Sequence, residues 1–256
     1  MSDTRVLHLD WSPALNAFWI HRVLSALHAC KNPILIKRRS RWDRDPREGL
    51  TLGDLAMAVG TKLTMVPLII QRVDSRLRDI GKVIQADPSG VEACLRSRAV
   101  YRLADSNAAF EAAVDFDSFI FESRSAYETT VSFLERFFDL ILGRALGPRA
   151  GKHAAKHVEE ALQARGARTE WVNDLRQRRN LLIHARSMWL AFEVRDGQPF
   201  RFDPVLLTKS VERIEDDPER LSIAQCRSFW QGFAASYEHI EVWLKDELAT
   251  ADASTR

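Results

Sequence analysis

The sequence predicts a mainly α-helical protein, a helical bundle carrying a small β-hairpin. Three observations point there. Apolar residues recur at spacings of three, four and seven over long stretches, most fully from Asn107 to Leu142. Gly and Pro fall between those stretches rather than within the strongest of them. Strict alternation, the mark of a half-buried strand, is concentrated around residues 188–203.

The first helix is expected from Ser12-Pro13 to Cys30, with Leu15, Trp19, Val23 and Leu27 on one face. Asn32-Pro33 ends it, and Ile34-Leu35-Ile36 leads into Lys37-Arg38-Arg39-Ser40-Arg41-Trp42-Asp43-Arg44-Asp45-Pro46-Arg47. Six basic residues against two acids there read as a basic loop. It serves either as a solvated connector or as a phosphate-contacting arm with Trp42 free to stack on a base. A short helix from Thr51 to Gly60 and a longer one from Pro67 to Gln85 follow. After Asp87-Pro88-Ser89-Gly90, helical pattern resumes from Val91 to Ala104.

The long helix from Asn107 to Leu142 places Phe116, Ile120, Tyr127, Val131, Leu134, Phe138 and Ile141 on one stripe, and Gly143 and Gly147-Pro148 stop it. Asp115 and Glu122, seven apart on a neighbouring face, are placed to hold an arginine from another helix. From Ala150 to Arg165 lies an amphipathic helix with His153 and His157 at i, i+4. Position 154 is alanine, so the glutamate of a zincin motif is missing and no metal site is assigned. Beyond the next helix, Arg195-Asp196-Gly197-Gln198 between alternating segments is the hairpin signal. Residues 216–219 form a loop, and a helix from Ser222 to Leu248 buries some combination of Phe229, Phe233, Ile240, Val242 and Leu244. The tail from Thr250 is expected to fray. The expected organisation is an N-terminal helical region of unassigned role (1–105), a helical domain (106–250) and a tail (251–256).

Composition limits the function classes. Net charge is +2 and 46% of residues are hydrophobic, so attraction to a polyanion must come from local patches. Cys30, Cys94 and Cys226 match no paired motif and suit a reducing compartment. Early charged residues (Asp3, Arg5, His8, Asp10) break any secretory pattern. The longest apolar runs fall short of the roughly 20 residues that span a bilayer. The expectation is a cytoplasmic protein with no membrane partner. No Walker, Rossmann or nucleophile-elbow motif is present, and no cofactor is implied.

The chemistry concentrates in the segment from Arg165 to Arg186, where six arginines and no lysine face Glu170 and Asp174. Arginine suits planar, bidentate phosphate contacts. At about 100° per residue, Trp171, Leu175 and Leu182 share a stripe that Arg178 enters and Arg179 flanks. An arginine there must meet a carboxylate, a phosphate or a wet cleft. His184 lies about 140° round from Arg179. The two therefore cooperate only if the helix bends or ends near Asn180, or if a two-fold partner supplies the second copy.

Arg179-Asn180-Leu181-Leu182-Ile183-His184 resembles the R-x4-6-H motif of the HEPN superfamily, whose arginine is often followed by asparagine. The resemblance covers about residues 107–248. It implies a HEPN-like helical bundle and a metal-independent endoribonuclease of toxin, antiviral-defence or RNA-processing type. The active site would be shared across a homodimer, with RNA as substrate and an antitoxin or defence protein as a further partner. Arg179 would hold the scissile phosphate, His184 would be general acid or base, and Asn180 would orient the site. Arg178, Arg176 and Arg186 would bind substrate, with Asp115 and Glu122 in support. Many toxin members place a tyrosine two residues after the histidine, where this sequence has Arg186. The alternatives are a non-catalytic helical module binding RNA or protein with an idle site, and a nucleotide sensor.

Overall fold

Two amphipathic helices more than thirty residues long dictate the architecture. The computed structural model describes residues 18–44, 50–97, 99–147, 153–185, 189–195, 201–207 and 221–254. Within them α3 (Leu52–Gln85) and α5 (Ser106–Phe137) pack together, joined by α4 (Pro88–Ser97). On α3 the buried positions Leu52, Leu55, Val59, Leu63, Val66, Ile70, Val73, Leu77, Ile80 and Ile84 keep one face throughout. That continuity explains why two helices expected on either side of Gly60 and Pro67 are one. Pro67 removes a backbone hydrogen bond and Gly60 lowers helix propensity, together a cost of about 4 kcal/mol. Burying ten aliphatic side chains at roughly 1.5–3 kcal/mol each outweighs it. Thr51 caps this helix in a reciprocal box with Asp54.

Among the described residues α3 is long and apolar enough, by length and composition, to cross a bilayer. Its buried face packs on α5.

The same burial argument builds the rest. In α1 (Phe18–Ala29) Trp19, Val23 and Leu27 are buried as expected and lie along α8 (Ile223–Ala253). Asn32-Pro33 not only ends α1 but starts α2 (Pro33–Arg38). The Asn32 side chain accepts from the Ile34 N–H, and Pro33 occupies a first-turn position where no donor is needed. The basic stretch therefore is not a loop over residues 37–42: it completes α2 and continues as a 3-10 turn (Arg39–Trp42). Trp42 is buried edge-to-face against Phe133, 5.9 Å between ring centres, and is not free to stack on a base.

Asp105 caps α5, which ends in a π turn (Phe138–Leu142) and then Gly143. Gly143 has φ +72°, a left-handed conformation, and a Cβ there would strike the Arg38 guanidinium. α6 (Ala154–Gln163) is followed by Gly166 at φ +81° and then α7 (Glu170–Ala185). The expected hairpin is present as β1 (Trp189–Arg195) and β2 (Arg201–Leu207), antiparallel from Trp189↔Leu207 to Arg195↔Arg201. A short third strand, β3 (Leu221–Ser222), pairs with β2 and runs into α8. Ser222 and Gln225 form the capping box of α8.

α8 buries Phe229, Phe233, Ile240, Trp243 and Leu244, but Val242 points to solvent. The helix also continues past Thr250 to Ala253 instead of fraying, because the Asp252 carboxylate accepts from the Lys31 and Asn32 backbone N–H groups. One buried cluster runs from Trp19 to Leu248, so the boundary expected near residue 105 does not divide the core. Ser12 and Pro13, residues 45–47, Asp196-Gly197, residues 216–219 and Arg186 lie outside the described residues.

Charge locks α1 onto α8. Glu241 accepts from Arg22 Nε at 2.8 Å and Nη2 at 2.5 Å, and from Lys245 at 2.6 Å. Arg22 above all holds the Glu241 carboxyl below its ordinary value. The group therefore contributes stability that is complete above about pH 4.5 and is lost as pH falls through the lowered folded-state value. Glu241→Gln should flatten that acid limb and lower neutral-pH stability by about 1 kcal/mol, since Arg22 is half exposed. Urea midpoints measured between mild acid and neutral pH check it.

Candidate functional site

α7 is positioned by its first turns. Trp171, Val172 and Leu175 are buried, and the Trp171 indole N–H donates to the Arg168 carbonyl at 3.0 Å. The indole stands edge-on to Tyr127 of α5 (5.7 Å) and Phe233 of α8 (5.2 Å). Thr169, also buried, accepts from Gln163 of α6 at 2.6 Å. These contacts seat the helix between α5 and α8, with its arginine-rich second half extending beyond the aromatic anchor.

The arginines divide by environment. Arg176 is held internally, donating to Glu159 of α6 at 3.0 Å and to Asn173 at 3.0 Å. Glu159 also accepts from the Tyr127 hydroxyl at 3.3 Å, which donates to the Ala155 carbonyl as well. Burial, reinforced by the Glu159 charge, pushes the Tyr127 phenol far above its ordinary range, so it stays a neutral donor. Arg176 thus belongs to a Tyr127–Glu159–Arg176 network that joins α5, α6 and α7.

Arg178 is half-buried, and Cys226 is buried at the start of α8. Burial dominates there and pushes the Cys226 thiol strongly up, with Arg178 opposing it weakly. Arg179 is half-buried too, and its Nε is enclosed with no hydrogen-bond partner among the described residues. A buried guanidinium N–H without an acceptor costs about 1–3 kcal/mol, so Arg179 carries an unmet donor among the described residues. Asn180 is exposed. α7 continues unbroken through His184 to Ala185, which removes the possibility that the helix ends near Asn180. The His184 side chain and Arg186 fall outside what the structure describes.

Asp115 and Glu122 do not support this helix. Both face α3: Asp115, 4% exposed, takes Arg72 at 2.6 Å and Arg76 at 3.0 Å, and Glu122 takes Lys62 at 2.8 Å. They do hold cations from another helix, but their partners fasten α3 to α5. The reason is rotational: on α5 these acids lie on the side given to α3, whereas Tyr127 lies on the side given to α7.

Sequence reading missed Glu159, which no motif marks. It also missed the groove between the start of α7 and α8, about 490 Å³, lined by Arg168, Glu170, Trp171, Asp174, Ser236 and His239. Gly232 was the available signal for that seam, because a glycine inside a long amphipathic helix marks a close approach. His157 packs against Gly147 and sits 3.4 Å from Glu160.

Comparison with known protein families, curated proteins and solved structures returned no match. The resemblance of α7 to HEPN domains therefore rests on the residues from Arg179 to His184.

Gly232 gives a test whose sign is informative. Alanine in an unhindered helix interior stabilises by about 1 kcal/mol relative to glycine. Here the new Cβ would lie 2.6 Å from the Trp171 ring. Gly232→Ala should instead destabilise by about 1–3 kcal/mol and change the near-ultraviolet dichroism of the aromatic cluster. Thermal and urea denaturation read the sign.

Proposed function

We propose that this chain is a metal-independent endoribonuclease of the HEPN type, acting as a homodimer whose site is shared by two copies of α7. The observation that carries the reading is Arg179. It has an enclosed, unpartnered Nε, precedes the exposed Asn180, and lies five residues before His184 on an unbroken helix. Five residues separate the two side chains by about 7.5 Å along the axis and about 140° around it. One copy of a helix does not bring both to one phosphate; a two-fold axis does, since each copy then supplies what the other turns away.

In the reaction, a base takes the proton of the RNA 2′-hydroxyl, and O2′ attacks the adjacent phosphorus. The P–O5′ bond breaks, and the leaving O5′ takes a proton from an acid. The products are a 2′,3′-cyclic phosphate and a 5′-hydroxyl. Arg179 would hold the phosphate and offset the charge that grows on its oxygens. His184, whose ordinary pKa lies near neutrality, would be the base or the acid, with Asn180 orienting the phosphate. The location that suits this chemistry is the cytoplasm, with RNA as substrate and an antitoxin or defence protein as a further partner.

One observation favours a second reading, a non-catalytic module that binds RNA or protein. Arg176 is committed to Glu159, so one of the arginines assigned to substrate already fastens α7 to α6.

Purified dimer should cut RNA in the presence of EDTA and leave cyclic phosphate ends. Arg179→Ala and His184→Ala should each lower the rate at least about 100-fold. If the dimer leaves varied RNAs intact while both variants bind RNA as the wild type does, the nuclease reading is lost and the binding module stands.

A further inference from the structure

The end of α2 and the turn behind it hold a charge cluster that α7 does not explain. From Lys37 to Arg44 there are five cations and one acid, Asp43. Arg38 has a structural role, with Nη1 3.4 Å from the Ile141 carbonyl and its guanidinium against Gly143. Lys37, Arg39 and Arg44 are exposed and Arg41 is half-buried; none of the four has an ion pair among the described residues. Elsewhere cations at the seams between helices meet carboxylates: Arg22 with Glu241, Arg76 with Asp115, Arg144 with Glu247, Lys62 with Glu122.

Helix electrostatics does not absorb this excess. The C-terminus of a helix carries about half a negative charge, and Ser40 already donates to the Lys37 carbonyl there. Four cations less Asp43 leave a surplus several times larger. The cluster also has a shape: Lys37, Arg39, Ser40 and His28 line a groove of about 640 Å³ with Trp42 and Asp43.

We propose that this groove holds the phosphate backbone of single-stranded RNA. The choice of RNA as the polyanion rests on the reading of α7 as an RNA-cutting helix. The recognition of phosphate rests on the groove alone. A concave site with Lys37 and Arg39 in its wall, and Arg44 next in the chain after Asp43 of that wall, follows a strand better than it meets a flat lipid surface. Trp42, packed on Phe133, offers no free face to a base, so the grip is electrostatic and indifferent to sequence. Placement agrees with a second, separate contact. Trp42, in the groove wall, packs on Phe133 of α5, whereas Trp171 of α7 packs on Tyr127 and Arg179 lies about two turns beyond it. RNA held in the groove would thus be gripped apart from the bond proposed to be cut.

The test is fluorescence anisotropy of labelled oligouridine, titrated at several salt concentrations with the full chain carrying His184→Ala so that the probe survives. Replacing Lys37, Arg39 and Arg44 together by Gln should weaken binding at least about 10-fold. The slope of log affinity against log salt should fall by about 2, the value for three lost phosphate contacts on a single strand. Exchanging charge for charge, Lys37→Arg with Arg39→Lys, should retain both. Unchanged affinity and slope in the triple Gln variant overturn the inference. So does a triple variant that loses binding to phosphatidylserine vesicles while keeping oligouridine. If the wild-type chain cuts no RNA yet binding still depends on these three residues, the reading of α7 fails and the groove stands.

Discussion

Burial of α5 on two sides at once is the constraint on which the remaining structure depends. Its one side is taken by α3, whose stripe continues through Gly60 and Pro67, and the pair is locked by Asp115 with two arginines and by Glu122 with Lys62. Its other side presents Tyr127 to α6 and α7 and Phe133 to Trp19 and Trp42. An amphipathic helix with one buried stripe would leave the second set of helices without a seat. Because α5 is apolar over a wide arc, a single core draws on residues from Trp19 to Leu248.

That arrangement also sorts the charged residues. A carboxylate is tolerated in a core when cations close on it, and a cation when a carboxylate or carbonyl does. Asp115, Glu159 and Glu241 each collect their partners across a helix seam, and Arg38 rests on the carbonyl end of the π turn. The residues left over are informative for the same reason. Arg179 has a buried Nε with no acceptor among the described residues, and Lys37, Arg39 and Arg44 are exposed with no ion pair among them.

Much of the fold was legible because its signals are local. Periodicity placed the long helix that ends at Gly143, the buried faces of α1 and α8, and the β-hairpin. The Thr51-Asp54 pair marks a helix start by chemistry confined to four residues. What misled was also local: Gly60 and Pro67 read as breaks, and a run of basic residues read as a loop. Each was decided by burial against a distant segment, α5 in the first case and Phe133 in the second.

The same division holds for the candidate site. By itself the sequence determined that six arginines crowd the segment around α7, that Arg179-Asn180 precedes His184 by a fixed spacing, and that this spacing turns the two apart on a helix. Tertiary structure decided which arginines are occupied. Arg176 meets Glu159, and Asp115 and Glu122 are taken by α3. Spacing along the chain sets the direction of a side chain. Only packing sets what stands in its way, because partners more than a dozen residues apart are brought together by burial of the core and not by any pattern within their own helices.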